Sequence, residues 1–378
     1  MKGTVWGLLG LLLLPRLCLA DSTRPLLPLP GSAGSRPSAQ ASDPDHFTFV
    51  ISGDNRSTGR GVPQPPTAGQ IFAEIHLLRP AFVLWTGDSI YGSEEPVEEA
   101  GAEYDAFLGQ AARAATPVFC APGNHEIYDR SEMETLYQSR MGRLYGSFDY
   151  GHTHLIALDT EEIGRHGGIG PKQMEWLKQD LAANRQAKNI VVFMHHPLFP
   201  KDAKEGFADS ANRDALHRLF VASDVRAVFC GHEHLLYHST QDGIPYWVSG
   251  GAGAPIDAPA DEGGFQHYLL CEVNDSEISV RVLQPWRLFT SVEAGASGGF
   301  TSALLSNYDD CDLPLTIDLP VRATTAASGL SASCSYKGKT RPLAITMAPS
   351  SQPDTTTLRV IVPKARSARI TFQPVSAP

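Results

Sequence analysis

The stretch VFCAPGNHEIYD, residues 118–129, sets the pattern on which the rest of the chain is built. A short apolar run ends at once in a polar cluster, Asn124, His125 and Glu126. The HExxH motif of zinc proteases is excluded, because Asp129 stands where that motif needs its second histidine. An apolar run that delivers polar side chains at its carboxyl end is typical of a strand in an α/β sheet, where ligands bind beyond the strand ends.

Four other apolar runs end in the same way. They are residues 46–51 before Gly53-Asp54-Asn55-Arg56, 82–85 before Gly87-Asp88-Ser89-Ile90-Tyr91, 190–194 before His195, and 225–230 before Gly231-His232-Glu233-His234. Amphipathic segments lie between the runs and predict helices, for example over residues 67–78 and, beginning near Pro171, over 173–183. The alternation predicts an α/β domain over residues 45–285 with its chemistry gathered at one edge of a sheet.

The hydrophobic pattern of the sequence changes after about residue 286. Helical periodicity disappears, and alternation over residues 315–319, 358–362 and 368–372 predicts a small all-β domain at 286–378. Cys311 and Cys334 lie in this more polar region, where an oxidising compartment would allow a disulfide between them.

The beginning of the chain predicts export. Residues 1–20 combine a basic Lys2, an apolar run over 5–14 and small residues before a cut, which is the pattern of a secretory signal peptide. A membrane anchor is the alternative, but Pro15 ends the run well short of the ~20 apolar residues that a span requires. Residues 21–44 are dominated by Pro, Ser, Ala and Gly and predict a flexible linker. We therefore expect a secreted or periplasmic protein with no transmembrane segment after signal cleavage.

Composition narrows the class of partner. The 378 residues carry a formal charge of -10 and are 42% hydrophobic, which suits a soluble globular protein. The excess of acidic residues disfavours broad attraction to nucleic acid or anionic lipid. Small-molecule substrates and local metal sites remain compatible with this balance.

Together the five polar clusters resemble the motif set of the calcineurin-like metallophosphoesterases, over about residues 45–275. The Gly-Asp-x-x-Tyr pattern at 87–91 resembles the purple acid phosphatase branch of that superfamily. The resemblance implies an α/β fold, a four-layer αββα sandwich of two mixed sheets flanked by helices. It also implies two metal ions, iron with a second iron, zinc or manganese, and carboxylate, amide and imidazole groups are ligands that suit such a pair.

The resemblance also assigns ligands. Asp88 would bridge both metals. The other ligands would be Asn124, His195 and His232 at one site and Asp54 and His234 at the other, with His196 beside them. Two such metals, about 3.5–4 Å apart, clamp a phosphate and lower the pKa of a bridging water, whose hydroxide attacks phosphorus. His125 would then protonate the leaving oxygen, and Glu126 would orient Asn124 or His125.

Arg56 departs from the family pattern. Most members have Asp-x-His at 54–56, and an arginine cannot replace that histidine as a ligand because it stays protonated. Tyr91 would supply the missing ligand as a tyrosinate on ferric iron, or it is an aromatic side chain that only packs. Arg56 would bind a phosphate oxygen of the substrate, or it forms a structural salt bridge.

Three hypotheses of function follow. The first is an exported dinuclear phosphatase that hydrolyses phosphomonoesters, with substrate shape set by loops at 59–69, 201–209 and 250–264. The second keeps the metals but hydrolyses phosphodiesters such as nucleotides or lipid head groups. The third is a binding protein whose β domain is active and whose catalytic fold is degenerate, which the nearly complete ligand set disfavours.

Overall fold

The computed structural model describes residues 26–32, 43–92, 95–294, 300–320, 330–337, 339–349 and 355–372. The predicted signal peptide lies outside these ranges. Their helices are α1 (Pro66–Leu78), α2 (Val97–Ala111), α3 (Asn124–Ile127), α4 (Ser131–Arg140), α5 (Pro171–Ala183) and α6 (Ser210–Ala222). Their first strands are β1 (His46–Ser52), β2 (Val83–Trp85), β3 (Val118–Cys120), β4 (Gly146–Tyr150), β5 (Thr153–Ala157), β6 (Asn189–Phe193), β7 (Ala227–Cys230), β8 (Leu236–Gln241), β9 (Ile244–Ser249), β10 (Tyr268–Asn274) and β11 (Glu277–Leu283). The later strands are β12 (Leu288–Ala294), β13 (Phe300–Asn307), β14 (Leu313–Leu319), β15 (Leu330–Tyr336), β16 (Lys339–Leu343), β17 (Ile345–Pro349), β18 (Thr356–Val362) and β19 (Arg366–Phe372).

Strands β1 to β11 form two mixed sheets. The first has the order β11-β10-β1-β2-β3, in which β1, β2 and β3 are parallel and the other two pairings are antiparallel. The second has the order β4-β5-β6-β7-β9-β8, with antiparallel pairs at its two edges and parallel pairs between. The parallel strands are buried on both faces, which is why their sequences are continuous apolar runs.

The layers are held together by three apolar clusters. Between the sheets, Phe49, Phe82 and Phe119 of the first pack with Leu155 and Phe193 of the second. Helices α1, α2 and α4 cover the outer face of the first sheet, and α5 and α6 cover that of the second. The αββα sandwich expected from the sequence is confirmed.

Two proline-led helices begin as the sequence indicates. Pro66 and Pro171 occupy the first turns of α1 and α5, where a missing backbone N–H costs nothing. Helix α1 ends at Arg79, which adopts a left-handed conformation and donates its N–H to the carbonyl of Ile75. Because α1 begins at Pro66, the substrate loop expected over 59–69 is shorter than predicted.

The C-terminal strands form two further sheets, with the orders β12-β13-β19-β15-β16 and β14-β18-β17. Apolar residues of both, such as Leu305 and Val360, belong to one core, so the predicted all-β domain is confirmed. The same core includes residues of α1, which packs against β14. Cys311 and Cys334 are both free thiols, so the disulfide that the sequence allowed is not formed.

Residues 26–32 are packed, although the sequence predicts a flexible linker over 21–44. Leu26 donates its N–H to the carbonyl of Ser147 and Leu29 donates to that of Val118, each at 2.7 Å. Both leucine side chains are buried in the apolar clusters. For this part the prediction is wrong, because the Pro-rich composition concealed two leucines that dock on β4 and β3.

Among the described segments, no helix combines the length and apolar character needed to cross a membrane.

Candidate metal centre and active site

The predicted clusters follow the carboxyl ends of five strands drawn from both sheets. Their side chains are Asp54 after β1, Asp88 after β2, Asn124 at the start of α3 after β3, His195 after β6, and His232 and His234 after β7. Six side chains from five separate segments of the sequence therefore meet at the edge that the two sheets share.

Backbone hydrogen bonds join the loops that carry these side chains. The N–H of Asp54 donates to Gly87 and that of Asn55 to the carbonyl of Asp88, both at 3.0 Å. Gly87 has a φ of +101°, and a Cβ there would lie 2.7 Å from the backbone nitrogen of Gly123. Only glycine fits this left-handed, crowded position, so the loops approach closely enough to share ligands.

Three of the predicted ligands also have left-handed backbones. The φ angles are 63° for Asp54, 52° for Asp88 and 75° for His232. Asp and His tolerate this region better than most residues, but each such position still costs free energy. The fold therefore holds these side chains in place at the expense of local strain.

Each predicted histidine ligand has its far ring nitrogen fixed by an acceptor. Nδ1 of His195 donates to the carbonyl of Thr86 at 2.8 Å, and Nδ1 of His234 donates to that of Pro255 at 2.7 Å. Nε2 of His232 lies 3.1 Å from the Glu205 carboxylate. In the neutral form of a ring held in this way, the other nitrogen is unprotonated and faces the centre, as a metal ligand must.

Three of these donor atoms converge. Oδ1 of Asn124 lies 2.8 Å from Nε2 of His195 and 3.1 Å from Nδ1 of His232, and the two nitrogens are 3.2 Å apart. Burial lowers the pKa of His195, and burial with the neighbouring imidazoles lowers the pKa of His232, so both rings are neutral. Three lone pairs directed at one point fit a borderline cation such as Zn²⁺ or Fe²⁺.

The carboxylate side of the centre also fits a cation. Asp54 is fully buried, and its Oδ2 has no hydrogen-bond partner among the described residues. Burial, and then the nearby Asp88, raise the pKa of Asp54 well above its usual range. Nε2 of His234 lies 3.8 Å from Oδ1 of Asp54, and donor atoms of Asp54, Asp88 and His195 lie within 4.8 Å of one another. A metal ion would satisfy this buried oxygen and compensate the paired charges.

Arg56 contacts the carboxylate that was predicted to bridge the metals. Its Nε lies 3.6 Å from Oδ2 of Asp88, its Nη1 donates to the carbonyl of Ser57, and its side chain is 20% exposed. The guanidinium thus stands at the edge of the centre, in reach of both Asp88 and solvent.

His125 lies beside the centre and is oriented by its neighbours. Its backbone N–H donates to Oδ1 of Asp88 at 3.1 Å, and its Nδ1 donates to the carbonyl of Tyr91 at 2.5 Å. Its Nε2 therefore faces inward, 4.0 Å from Oδ2 of Asp88. Burial lowers the pKa of His125, although Asp88 acts in the opposite direction. The ring of Tyr91 lies next to it, with 5.6 Å between ring centroids.

Glu126 orients a different group from the one expected. Instead of holding Asn124 or His125, its buried carboxylate accepts the backbone N–H groups of Asp88, Ser89 and Gly123. It therefore joins the loop after β2 to the loop after β3 and holds the backbone of Asp88, the residue predicted to bridge the metals.

Three neighbours of the centre, Glu161, Glu205 and Asp257, escaped the sequence-based prediction. The ring of His196, expected beside the predicted ligands, lies against that of His232 with 3.8 Å between centroids and a tilt of 33°. The buried Glu161 binds Nδ1 of His196. Glu205 and Asp257, on the loops expected to shape the substrate pocket, contact His232 and His234 and line a neighbouring cavity of about 500 Å³. Glu205 and Asp257 belong to no sequence motif, so their position in the predicted substrate loops was the sole sequence indication of a role.

The sequence matches a family model described as calcineurin-like phosphoesterase over residues 41–236. Among solved structures, a dimetal phosphatase from Danio rerio superposes with a TM-score of 0.50 at 16% identity, covering 64% of this chain and 96% of the other. That likeness concerns the fold.

Curated relatives agree with the family. A cAMP/cGMP dual specificity phosphodiesterase of Mycobacterium tuberculosis is 28% identical over 57% of this chain and 69% of its own length. Tartrate-resistant acid phosphatase type 5 of Rattus norvegicus is 25% identical over 53% of this chain and 71% of its own. The serine/threonine-protein phosphatase CPPED1 of Bos taurus is 28% identical over 37% of this chain and 48% of its own. With its matched motifs assembled in one centre, the chain belongs to the calcineurin-like phosphoesterase family and is a phosphoric ester hydrolase.

Proposed function

We propose that the protein is an exported, dinuclear metal-dependent phosphatase that hydrolyses small phosphomonoesters. The observation that carries the proposal is the convergence of Asp54, Asp88, Asn124 and three imidazoles at one sheet edge, with His125 and Arg56 beside them. Asp54, Asp88 and His234 would hold one metal ion, and Asp88, Asn124, His195 and His232 the other.

Two bound cations would supply the positive charge that binds a phosphate and lowers the pKa of a water that attacks it. The chain supplies the rest. Asp88 would lie between the two groups of ligands, and Glu126 accepts its backbone N–H. His125 directs Nε2 at the same region and donates the proton to the leaving oxygen.

Arg56 supports the choice of monoesters. A phosphomonoester keeps a terminal dianionic group, and a guanidinium at the edge of the centre can hydrogen-bond to two of its oxygens. Arg56 has the required position, since its Nε is already 3.6 Å from Asp88 and its side chain is partly exposed. A diester has one non-bridging charge fewer to offer.

The ratio of kcat/KM for p-nitrophenyl phosphate to that for bis(p-nitrophenyl) phosphate tests the proposal, with metal-loaded protein. We expect the monoester to be favoured by about tenfold or more, from one additional charge-assisted contact worth about 1.5–3 kcal/mol. Asp88→Asn is the control and is expected to lose both activities. A ratio below one would move the protein to the phosphodiesterases, and failure of the metal-loaded enzyme on both substrates would contradict either proposal.

Phosphodiester hydrolysis is the second candidate. The relative named as a cAMP/cGMP dual specificity phosphodiesterase matches slightly more of this chain, at slightly higher identity, than the acid phosphatase does. Both reactions use the same metals and the same nucleophile, so the metal centre does not distinguish them. In a phosphodiesterase, the flanking loops at 201–209 and 250–264 would accommodate the second ester group.

The proposal includes iron in one site, with iron, zinc or manganese in the other. Its support is the Gly-Asp-x-x-Tyr pattern, in which Tyr91 would bind Fe(III) as tyrosinate. Iron-loaded protein is expected to show a visible charge-transfer band that disappears in Tyr91→Phe. A colourless protein with a full complement of iron would contradict this part.

Export is supported by the sequence of residues 1–20 alone. N-terminal sequencing of the protein purified from its natural host should find Asp21 as the first residue. A protein that retains Met1 and stays in the cytoplasm would contradict export without affecting the enzymatic proposal.

A further inference from the structure

His232 differs from the other two histidine ligands in the group that fixes its far nitrogen. His195 and His234 donate to backbone carbonyls, which the fold itself holds in place. Nε2 of His232 instead meets the carboxylate of Glu205 at 3.1 Å, and the Glu205 side chain is 49% exposed on the loop between β6 and α6. One ligand of the centre thus depends on a side chain that a single substitution can remove.

The loop that carries Glu205 is built onto the metal motif. Glu233, next to His232 in the sequence, is buried, and its carboxylate accepts the backbone N–H groups of Lys201 and Asp202, both at 2.8 Å. A short 3₁₀ turn follows directly and ends at Glu205. Glu233 therefore holds the beginning of the loop in place, and Glu205 at the end of the 3₁₀ turn contacts His232.

We propose that Glu205 is a positioning residue that keeps His232 in its metal-binding tautomer. Glu205 accepts a hydrogen bond from Nε2–H of His232, so the proton stays on Nε2 and Nδ1 is unprotonated. Nδ1 is the nitrogen that faces Asn124 and His195. The ring of His196 lies against that of His232 at a tilt of 33°, a contact that does not select which nitrogen of His232 carries the proton. The inference rests on the proposed function, because it requires that this centre bind metal.

Titration of metal-free protein with Co(II), followed by visible absorption and by competition with a chelator, tests the proposal. In Glu205→Ala we expect one of two Co(II) equivalents to bind about tenfold more weakly, which is the usual effect of removing the partner of a ligand histidine, while the other equivalent is unchanged. Glu205→Gln keeps an oxygen that accepts the Nε2 proton and is expected to bind Co(II) within about threefold of wild type.

Glu262→Ala is the matched control for charge. Glu262 lines the same cavity and pairs with Lys201 rather than with His232, so its loss should leave both Co(II) affinities unchanged. The melting temperature of each variant, compared with wild type, separates ligand loss from unfolding.

Three outcomes would overturn the role of Glu205 alone: Co(II) affinities in Glu205→Ala equal to wild type, an equally large loss in Glu262→Ala, or a Glu205→Gln protein as weak as Glu205→Ala. Wild-type protein that binds no Co(II) would overturn the proposed function as well. The two failures are therefore distinguishable.

Discussion

At the scale of single residues, hydrogen bonds to backbone groups fix the orientation of the side chains that form the centre. His125 shows this most directly. Its Nδ1 and its backbone N–H are both engaged, so its Nε2 has one direction available, toward Asp88. In the sequence His125 follows the predicted ligand Asn124, and the hydrogen bond to the carbonyl of Tyr91 explains why its Nε2 points inward.

Replacing His125 by alanine tests its role as the acid. His125→Ala is expected to keep its metals but to lose about 10²–10⁴-fold in kcat on an alkyl phosphate, whose leaving oxygen needs a proton. The loss should be much smaller on p-nitrophenyl phosphate, because nitrophenolate leaves without one. Steady-state kinetics on both substrates, with metal analysis, checks this. An alanine variant fully active on the alkyl phosphate would rule out the acid role, and His152→Ala, in an exposed turn, is the control.

Glu126 offers a second test at this scale. In Glu126→Gln a side-chain NH₂ replaces one of the two oxygens that accept backbone N–H groups, so a buried donor would face another donor. We expect a loss of about 1–3 kcal/mol in the free energy of unfolding and weaker metal binding. Urea unfolding and metal analysis measure both. Glu132→Gln, on the exposed face of α4, should match wild type, and equal metal content in the two variants would contradict the role of Glu126.

Residue types could be predicted, but their partners could not. Every motif residue from Asp54 to His234 was found in the sequence because strand, turn and ligand follow one another along the chain. Glu205 and Thr86 were missed because their contacts join residues far apart in sequence, 27 and 109 positions. Glu126 was assigned a local partner, whereas two of its three bonds reach the loop after β2.

At the scale of the elements, strand ends were predictable because apolar runs stop where the chain turns. The predicted runs at 118–120 and 46–51 correspond to β3 and to all but one residue of β1. The two edge strands of the second sheet, β4 and β8, were missed since their burial alternates and their sequences are polar. Apolar runs thus located the strands that precede the predicted ligands better than the polar strands at the sheet edges.

His154, on β5, links two neighbouring elements through charge. Its Nδ1 binds Asp149 of β4 at 2.7 Å and its Nε2 binds Asp180 of α5 at 2.8 Å. Burial alone would lower its pKa, but the two carboxylates outweigh burial and raise the pKa of His154 to about 9. Since the folded-state pKa exceeds the unfolded value, the stabilisation is complete below pH 6.5 and is lost as the pH rises through about 9.

We therefore expect the stability advantage of wild type over His154→Gln to be largest near pH 6 and to fall by up to about 3 kcal/mol as the pH reaches about 9. Urea unfolding at a series of pH values measures it. His238→Gln, at an exposed position of β8 where the ring lies against Trp247, should run parallel to wild type. A constant difference between wild type and His154→Gln across this range would contradict the ion-pair assignment.

At the scale of the molecule, α1 joins the phosphoesterase sandwich to the C-terminal strands. Its Glu74 is fully buried, and one oxygen accepts the backbone N–H groups of Arg287 and Leu288 while the other accepts the hydroxyl of Tyr268. The chain enters β12 at this carboxylate. This contact could not be predicted from the sequence, because a glutamate in an amphipathic helix is normally solvated.

Glu74→Ala removes the acceptor of two buried donors, the Tyr268 hydroxyl and the Leu288 N–H, at about 1–3 kcal/mol each. It also removes the acceptor of two partly buried donors, the Arg287 N–H and the Gln70 amide. We expect a lower free energy of unfolding and faster proteolysis between β11 and β12, measured by urea unfolding and limited trypsin digestion. Asp318→Asn is the control, because asparagine keeps an oxygen that can accept the Thr357 hydroxyl and weakens the partly exposed ion pair between Arg79, at the end of α1, and β14. It should cost less than about 1 kcal/mol. Equal effects of the two substitutions would show that the buried carboxylate is not what joins the domains.

The left-handed backbone at Asp54, Asp88 and His232 constrains how this family can drift. A copy of the gene released from selection for catalysis would lose its ligands by chance mutation, but alanine or a branched residue at these positions would add backbone strain to the loss of the ligand. Glycine and asparagine bear that conformation best. Descendants that keep the fold and abandon the chemistry should therefore carry Gly or Asn at these three positions, which is a trace that a genealogy of the family can recognise.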